Sequence, residues 1–398
     1  MRLASLTTYL CDAYRTNWVF VRLETDDGLV GWGEATLEYR EHTVEAALRA
    51  LEPSLAGRDL EDIQGWWQDA YRDAYWRGGA VLTSALSGIE MALWDLKGKL
   101  LGVPVHQLLG GTVRTEVECY ANAWFAGART AAEFAERARD AVEWGYRAVK
   151  WDPFGSAFRT VDRGELRSAL AVVDAVAEAV GDDAGLIVEA HGRFEVPTAL
   201  RVARALEPFD LLWLEEPLIP GNTAALAEVR AATSTPIGVG ERLYTRWDFR
   251  EVFDARAADV VQPDVSHVGG IWEARTVASL AELWQVGFAP HNPSGPIANA
   301  ATLQLAACVP NFTLLETMAT DVPWRADVVV SEPSITHGRA PIPTAPGLGV
   351  ELDAEALTRF PYVRHDLRHY TGALTEIRPE DSVGRHEMPA PSLTGSPS

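Results

Sequence analysis

Cysteine is scarce in this chain: Cys11, Cys119 and Cys308 are the only three in 398 residues, widely scattered and odd in number. That excludes a disulfide framework and a Cys-x-x-Cys metal site, and leaves them as small core residues. Basic residues are also few, 35 Lys and Arg against 56 Asp and Glu, for a formal charge of −21. Such a surface repels phosphate, so neither nucleic acid nor an anionic membrane is expected as a partner. No long uncharged apolar run occurs, and "MRLASLTTYL" lacks a cationic start followed by a long apolar stretch. The expectation is a soluble, cytoplasmic protein without a membrane span. No G-x-G-x-x-G follows the first strand of the α/β region, which counts against a dinucleotide-binding fold.

What is present is a globular composition, 47% apolar with 14 tryptophans, in a chain longer than one core usually organises. Two domains are therefore expected. In residues 1–115, "NWVFVRLETDDGLVGWGEA" reads as two strands joined at Asp26-Asp27-Gly28, and helical patterns follow at about 41–52, 59–76 and 80–101. This is an α+β unit. From Glu116 to about 320 the chain alternates strand and helix, with apolar runs ending near Tyr120, Lys150, Glu189, Glu215, Glu241, Asp264, His291 and Glu316. Thr130 with Glu133, and Asp162 with Glu165, are capping boxes, and Gly145 and Gly181 are helix stops. Eight strands so separated fit a (β/α)8-type barrel better than an open doubly wound sheet. Residues 321–370 read as loop with strand fragments packing back on the first domain, and 371–398, rich in proline and serine, as a mobile tail.

In a barrel the C-terminal strand ends converge on one face, so polar residues there meet although remote in sequence. Glu189, Glu215 and Glu241 end three successive strands at equal spacing. One such carboxylate reads equally well as a solvated loop residue. Three together would repel unless a cation neutralised them, and a hard divalent ion, Mg²⁺, suits oxygen ligands. Strand alternation lets only one of Glu215 and Glu216 face it, and spacing favours Glu215. His191, two residues past Glu189, would project to the same side of an extended chain. Asp264 and His291 end neighbouring strands, and a carboxylate on one ring nitrogen would leave the other as a general base. His267 competes for that carboxylate. Lys150 offers a charge that, with the metal, balances the three ligands and admits an anionic substrate. Asp152 reads either as a hydroxyl-binding group or as a loop residue. His42, His106, His267, His337, His365, His369 and His386 read as packing or surface histidines.

Together with "GLVGWGEA", "SGIEMALWDLKGKLLGVPVHQLLGG" and "PGLGVELD", these residues resemble the enolase superfamily, in particular the acid-sugar dehydratases of its mandelate racemase-like branch. The resemblance implies a modified (β/α)7β barrel capped by an α+β domain built from the N-terminal region and the C-terminal segment. It implies Mg²⁺ on Glu189, Glu215 and Glu241, His191 as general acid, an Asp264–His291 dyad as base, and Glu316 contacting the substrate or its developing enolate. Capping-domain loops would set the substrate, with Tyr14, Arg15, Asn17, Trp18, Trp76 and Arg77 as candidates that could equally be packing residues. Two features depart from the wider superfamily: Glu189 stands where aspartate is commoner, and Lys150-Trp151-Asp152 replaces a K-x-K pair, which counts against racemisation by opposed bases. "KWDPFG" and "EAHGRF" are closer to the gluconate dehydratase type than the galactonate type. The expected reaction is removal of the C2 proton and C3 hydroxyl of an aldonic acid, giving a 2-keto-3-deoxy acid. Cycloisomerisation or epimerisation by the same metal-enolate chemistry, or a non-catalytic protein on this scaffold, are the alternatives. A homo-oligomer, dimer or octamer, is the family habit.

Overall fold

In the computed structural model, which describes residues 1–73 and 75–385, the N-terminal sheet has one more strand than the hairpin pattern suggests. Strand β1 (Leu3–Asp12) pairs antiparallel with β2 (Asn17–Thr25), which pairs antiparallel with β3 (Val30–Glu34). Helices Glu41–Leu51, Ile63–Asp73 and Ala80–Leu101 complete this unit. Two glycines of "GLVGWG", Gly31 and Gly33, have a packing cause. A Cβ on Gly33 would lie 1.8 Å from the Gly88 carbonyl of the long helix, and one on Gly31 2.5 Å from that of Ala92. Only glycine lets sheet and helix approach so closely.

Eight parallel strands follow: β4 (Glu116–Asn122), β5 (Ala148–Trp151), β6 (Gly185–Glu189), β7 (Trp213–Glu215), β8 (Ile237–Val239), β9 (Val260–Val261), β10 (Gly287–Phe288) and β11 (Leu315–Met318). Their order is β10-β9-β8-β7-β6-β5-β4-β11. The two ends meet through a parallel bridge between Phe288 and Phe312 and a 2.9 Å bond from the Thr313 N–H to the Phe288 carbonyl. Both capping boxes are formed, at Thr130 and at Asp162.

Inside the barrel, Tyr120, Ala148, Ile187, Trp213 and Ala289 form a small apolar cluster of their own. Because side chains alternate along a strand, the residues two positions further on face the same way, one layer higher. Those residues are Asn122, Lys150, Glu189, Glu215 and His291. The polar layer thus stands on a dry floor.

The two halves are joined at helix ends. Glu34 accepts from the N–H groups of Gly295 (2.7 Å) and Ala298 (2.8 Å), at the start of helix Pro296–Cys308. Glu90 does the same for Ile271 (2.8 Å) and Trp272 (3.0 Å), at the start of helix Ile271–Trp284. Each buried carboxylate satisfies helix N–H groups that lack an intrahelical partner.

The C-terminal segment contacts both halves. Strand Arg339–Pro341 pairs antiparallel with β4, while the Asp12 N–H donates to the Phe360 carbonyl (2.9 Å). The mobile tail expected from 371 is not what the structure places up to 385. Val383–Gly384 pairs antiparallel with Thr320–Asp321, and Arg385 donates to Asn299 Oδ1 at 2.8 Å. Residues 386–398, with His386, lie outside the described residues. Among the described residues no helix is long and apolar enough to cross a membrane.

Candidate active site

A cavity opens at the C-terminal strand ends, walled by the barrel, the loop around Glu38 and the C-terminal segment. One carboxylate oxygen each from Glu189, Glu215 and Glu241 lie within 4.8 Å of one another. Glu189 and Glu215 sit side by side in the β6–β7 register, and Glu241 follows β8 through Gly240. Glu215 is the best-held of the three: Lys150 Nζ lies 2.6 Å from one oxygen, and Gln262 (2.6 Å) and Trp213 (2.9 Å) donate to the other. Lys150 also reaches Glu316 at 2.8 Å and Glu189 at 3.7 Å.

Burial and then Glu215 push Glu189 well above the usual carboxylate range, and burial pushes Glu241 up. Against burial, Lys150 and its other donors hold Glu215 down at about 2. A single lysine does not neutralise this set, and three carboxylate oxygens at one point, two buried and that of Glu241 half-buried, suit a hard divalent cation. The residues present therefore fit a metal. Glu216 faces elsewhere and pairs with Arg242.

Two imidazoles border the cluster, each held at Nδ1 by its own carboxylate. His291 Nδ1 lies 2.8 Å from Asp264, and its Nε2 lies 3.2 Å from Glu241. Burial opposes charge on this ring, but Glu241, Asp264 and Glu316 outweigh it and raise its pKa to about 9. His191 Nδ1 lies 2.6 Å from Asp152. Burial, then His369 and three cationic side chains, push this ring well down.

The expected extended path to His191 is not the one the chain takes. His191 (φ 49°) and Gly192 (φ 60°) are both left-handed, and the His191 N–H turns back to Glu189 Oε1 at 2.6 Å. The positive φ of Gly192 accounts for the glycine. The turn also brings Arg193 onto Asp152. Asp152 is therefore no free hydroxyl binder: one oxygen serves His191 and Arg193, the other accepts from the Phe154 N–H at 2.8 Å. Burial raises its pKa to about 6.

Glu316 is buried and accepts from Asn122 (2.8 Å) and the Asn292 N–H (2.9 Å). His267 lines the cavity, but Ser84 Oγ holds its Nδ1 at 2.9 Å and its Nε2 stands 3.8 Å from Asp264. Of the capping-domain candidates, Arg15 lines the cavity, paired with Glu38. Asn17, Trp18, Trp76 and Arg77 do not. Asn17 clasps Val363, donating to its carbonyl at 2.8 Å and accepting from its N–H at 2.9 Å. Trp18 is buried beneath the Arg325 guanidinium at 5.8 Å. Trp76 is 79% exposed, and Arg77 lies over the Tyr71 ring at 5.8 Å.

Several cavity residues carried no signal in the sequence. His369, Tyr370, Leu374 and Ile377 form a wall from the C-terminal segment, with the Tyr370 hydroxyl donating to the His191 carbonyl at 2.8 Å. Their positions depend on contacts with residues far away in the chain.

A parallel α/β barrel with clustered acids at its strand ends, covered by an α+β unit, defines an enzyme of the enolase type. Residues 6–110 match the mandelate racemase / muconate lactonizing enzyme N-terminal domain and residues 133–356 the enolase C-terminal domain-like family, so the chain belongs to the mandelate racemase-like branch of the enolase superfamily. Members of this superfamily use a divalent metal. The chain is 38% identical to the D-galactonate dehydratase of Xanthomonas euvesicatoria over 395 residues, 94% of this chain and 100% of that protein. It is 38% identical to the D-galactonate dehydratase of Pectobacterium atrosepticum over 361 residues, 89% of this chain and 93% of that one. A solved mandelate racemase/muconate lactonizing enzyme-like protein from Rubrobacter xylanophilus matches with a TM-score of 0.85 at 38% identity, over 92% of this chain and 99% of its own. The mandelate racemase/muconate lactonizing enzyme of a Sulfitobacter species gives 0.87 at 32% identity, over 92% and 97%. The chain is an enzyme of the hydro-lyase class.

Proposed function

We propose that this enzyme is a Mg²⁺-dependent dehydratase of a six-carbon aldonic acid, D-galactonate in the first place. The observation that carries the reading is the pair of imidazoles at one cavity, each fixed at Nδ1 by a separate carboxylate, 2.8 Å for His291 and 2.6 Å for His191. Dehydration needs two proton transfers at adjacent carbons, and a ring pinned at Nδ1 presents Nε2 for one of them. The names of the curated relatives favour galactonate, whereas the motifs "KWDPFG" and "EAHGRF" favour gluconate.

Glu189, Glu215 and Glu241 would hold Mg²⁺, whose charge, when it is bound, stabilises a substrate carboxylate gaining electrons by several kcal/mol. His291 Nε2, in its unprotonated form, removes the C2 proton, and Glu241 and Asp264, which raise the ring's pKa, steady the imidazolium so formed. Lys150 adds fixed positive charge at the same carboxylate. His191, whose ring burial otherwise keeps neutral, takes up a proton at Nε2 from solvent and gives it to the C3 hydroxyl as the C3–O bond breaks, because hydroxide leaves poorly without one. The substrate loses one proton and one hydroxide, together a water, and the enol becomes the 2-keto-3-deoxy acid.

The test is incubation of the Mg²⁺-loaded protein with aldonic and aldaric acids, assaying α-keto acid and C2 deuterium exchange. Stoichiometric keto acid is expected from D-galactonate or its gluconate epimer. Isomerised product without keto acid would favour a cycloisomerase or epimerase instead. His291→Asn should remove both exchange and turnover, and retained turnover would overturn its role as the base.

A further inference from the structure

Four histidines line the cavity, and three are held at Nδ1: His191 by Asp152 (2.6 Å), His267 by Ser84 (2.9 Å) and His291 by Asp264 (2.8 Å). The fourth, His369, is different. Among the described residues neither of its ring nitrogens has a hydrogen-bond partner, and Nδ1 is shut away from solvent. Nε2 is left as the nitrogen that a molecule in the cavity reaches. A half-buried ring on the cavity wall whose Nε2 has no partner in the protein is free to bond a molecule held there.

The ring is placed with care for a residue on a connecting segment. Its centroid lies 4.5 Å from that of His191, at 73° to it, and 6.5 Å from Tyr39 at 89°. Arg193, the side chain that also holds Asp152, donates to the His369 carbonyl at 3.3 Å. The next residue, Tyr370, closes the loop by donating to the His191 carbonyl. His369 is thus locked to the same local frame as His191.

Resting on the dehydratase reading above, we infer that His369 contacts the substrate directly and selects for a hydroxyl at C5 or C6, which a four-carbon acid lacks. A carboxylate at the glutamate cluster and a C3 hydroxyl at His191 fix the direction of the carbon chain. The group beside His191, on the side of Tyr39 and the capping unit, then meets the next part of that chain. The chemistry of the ring agrees. Burial lowers its pKa to about 4, so it is a neutral imidazole, and the one reachable nitrogen, Nε2, suits a hydroxyl, which can accept from it or donate to it according to tautomer.

The experiment compares wild type, His369→Ala and His369→Gln on D-galactonate, on D-gluconate and on the tetronic acid sharing the C2 and C3 configuration of whichever is the better substrate. The four-carbon acid is followed by turnover or, if inert, as a competitive inhibitor. His369→Ala should lower kcat/KM on the six-carbon acid about 10- to 100-fold while changing the four-carbon constant less than about threefold. His369→Gln, keeping a donor and an acceptor, should recover part of the loss. Equal losses on both lengths would mean that the ring only positions His191, and would overturn the inference. So would no loss on either, with the dehydratase reading intact. Wild-type protein that turns over neither six-carbon acid would overturn both together.

Discussion

Replacing Asp152 by Asn should separate the two proton transfers. In the structure the Asp152 carboxylate holds His191 Nδ1 at 2.6 Å and pairs with Arg193, while His291 is held by Asp264 on the far end of the strand order. A charge-assisted hydrogen bond of that length is worth about 1.5–3 kcal/mol. Lost from the acid's transition state, it corresponds to roughly a 10- to 100-fold fall in kcat for keto-acid formation. C2 deuterium exchange, which needs His291 alone, should stay within about threefold. Stability should fall as well, because Arg193 is fully buried. It keeps carbonyl partners on Ala190 (2.9 Å) and Gly155 (3.0 Å), so the cost sits near the lower end of the usual range for a broken buried pair, about 3 kcal/mol. The assay runs in D₂O, following the C2 proton by NMR and the keto acid by semicarbazone absorbance in one reaction. An equal fall in both rates would refute the division of labour, and an unchanged keto-acid rate would remove His191 from the role of acid.

Two further outcomes follow from buried charge. Chelation with EDTA should stop turnover and lower the melting temperature, since the three clustered carboxylates repel without a cation; Mg²⁺ at about a hundred times its Kd should restore about 2.7 kcal/mol, less so in Glu241→Gln. Glu332 is held at about 2, against burial, by Arg325 and Arg385. A carboxyl lowered in the folded state contributes stability that is complete above its unfolded pKa, near 4.5, and is lost as pH falls towards 2. Glu332→Gln should therefore cost about 3 kcal/mol at pH 7 and flatten the loss of stability below pH 4.5, read from urea midpoints across pH.

The barrel was legible because strand, helix and cap signals agreed at each step. The clustering of Glu189, Glu215 and Glu241 was legible because parallel strands in a closed ring must end on one face. The same alternation that puts Tyr120, Ala148, Ile187 and Trp213 on the floor raises the polar side chains above them. Pairings that depend on irregular backbone were not legible. His191 reaches the cavity through two left-handed residues and not through strand pleat, so its partner Asp152 was read as a substrate group. Asn17 and Trp18 lie within β2, where Val363 of the C-terminal segment and the Arg325 guanidinium claim their side chains. His369 was passed over as a packing residue because nothing near it in the chain marks it. Its surroundings come from Tyr39 and the turn at His191.

Glu34 and Glu90 reach out of the first hundred residues to finish helices that begin just behind Asp264 and His291. Neither helix supplies those acids from its own neighbourhood, so the barrel by itself is an unfinished object at the edge where its base resides. Cover and catalyst are consequently inherited together: a lineage can remodel the loops that greet a new sugar, but a domain swap that omits those two carboxylates strips the anchorage from beneath the base.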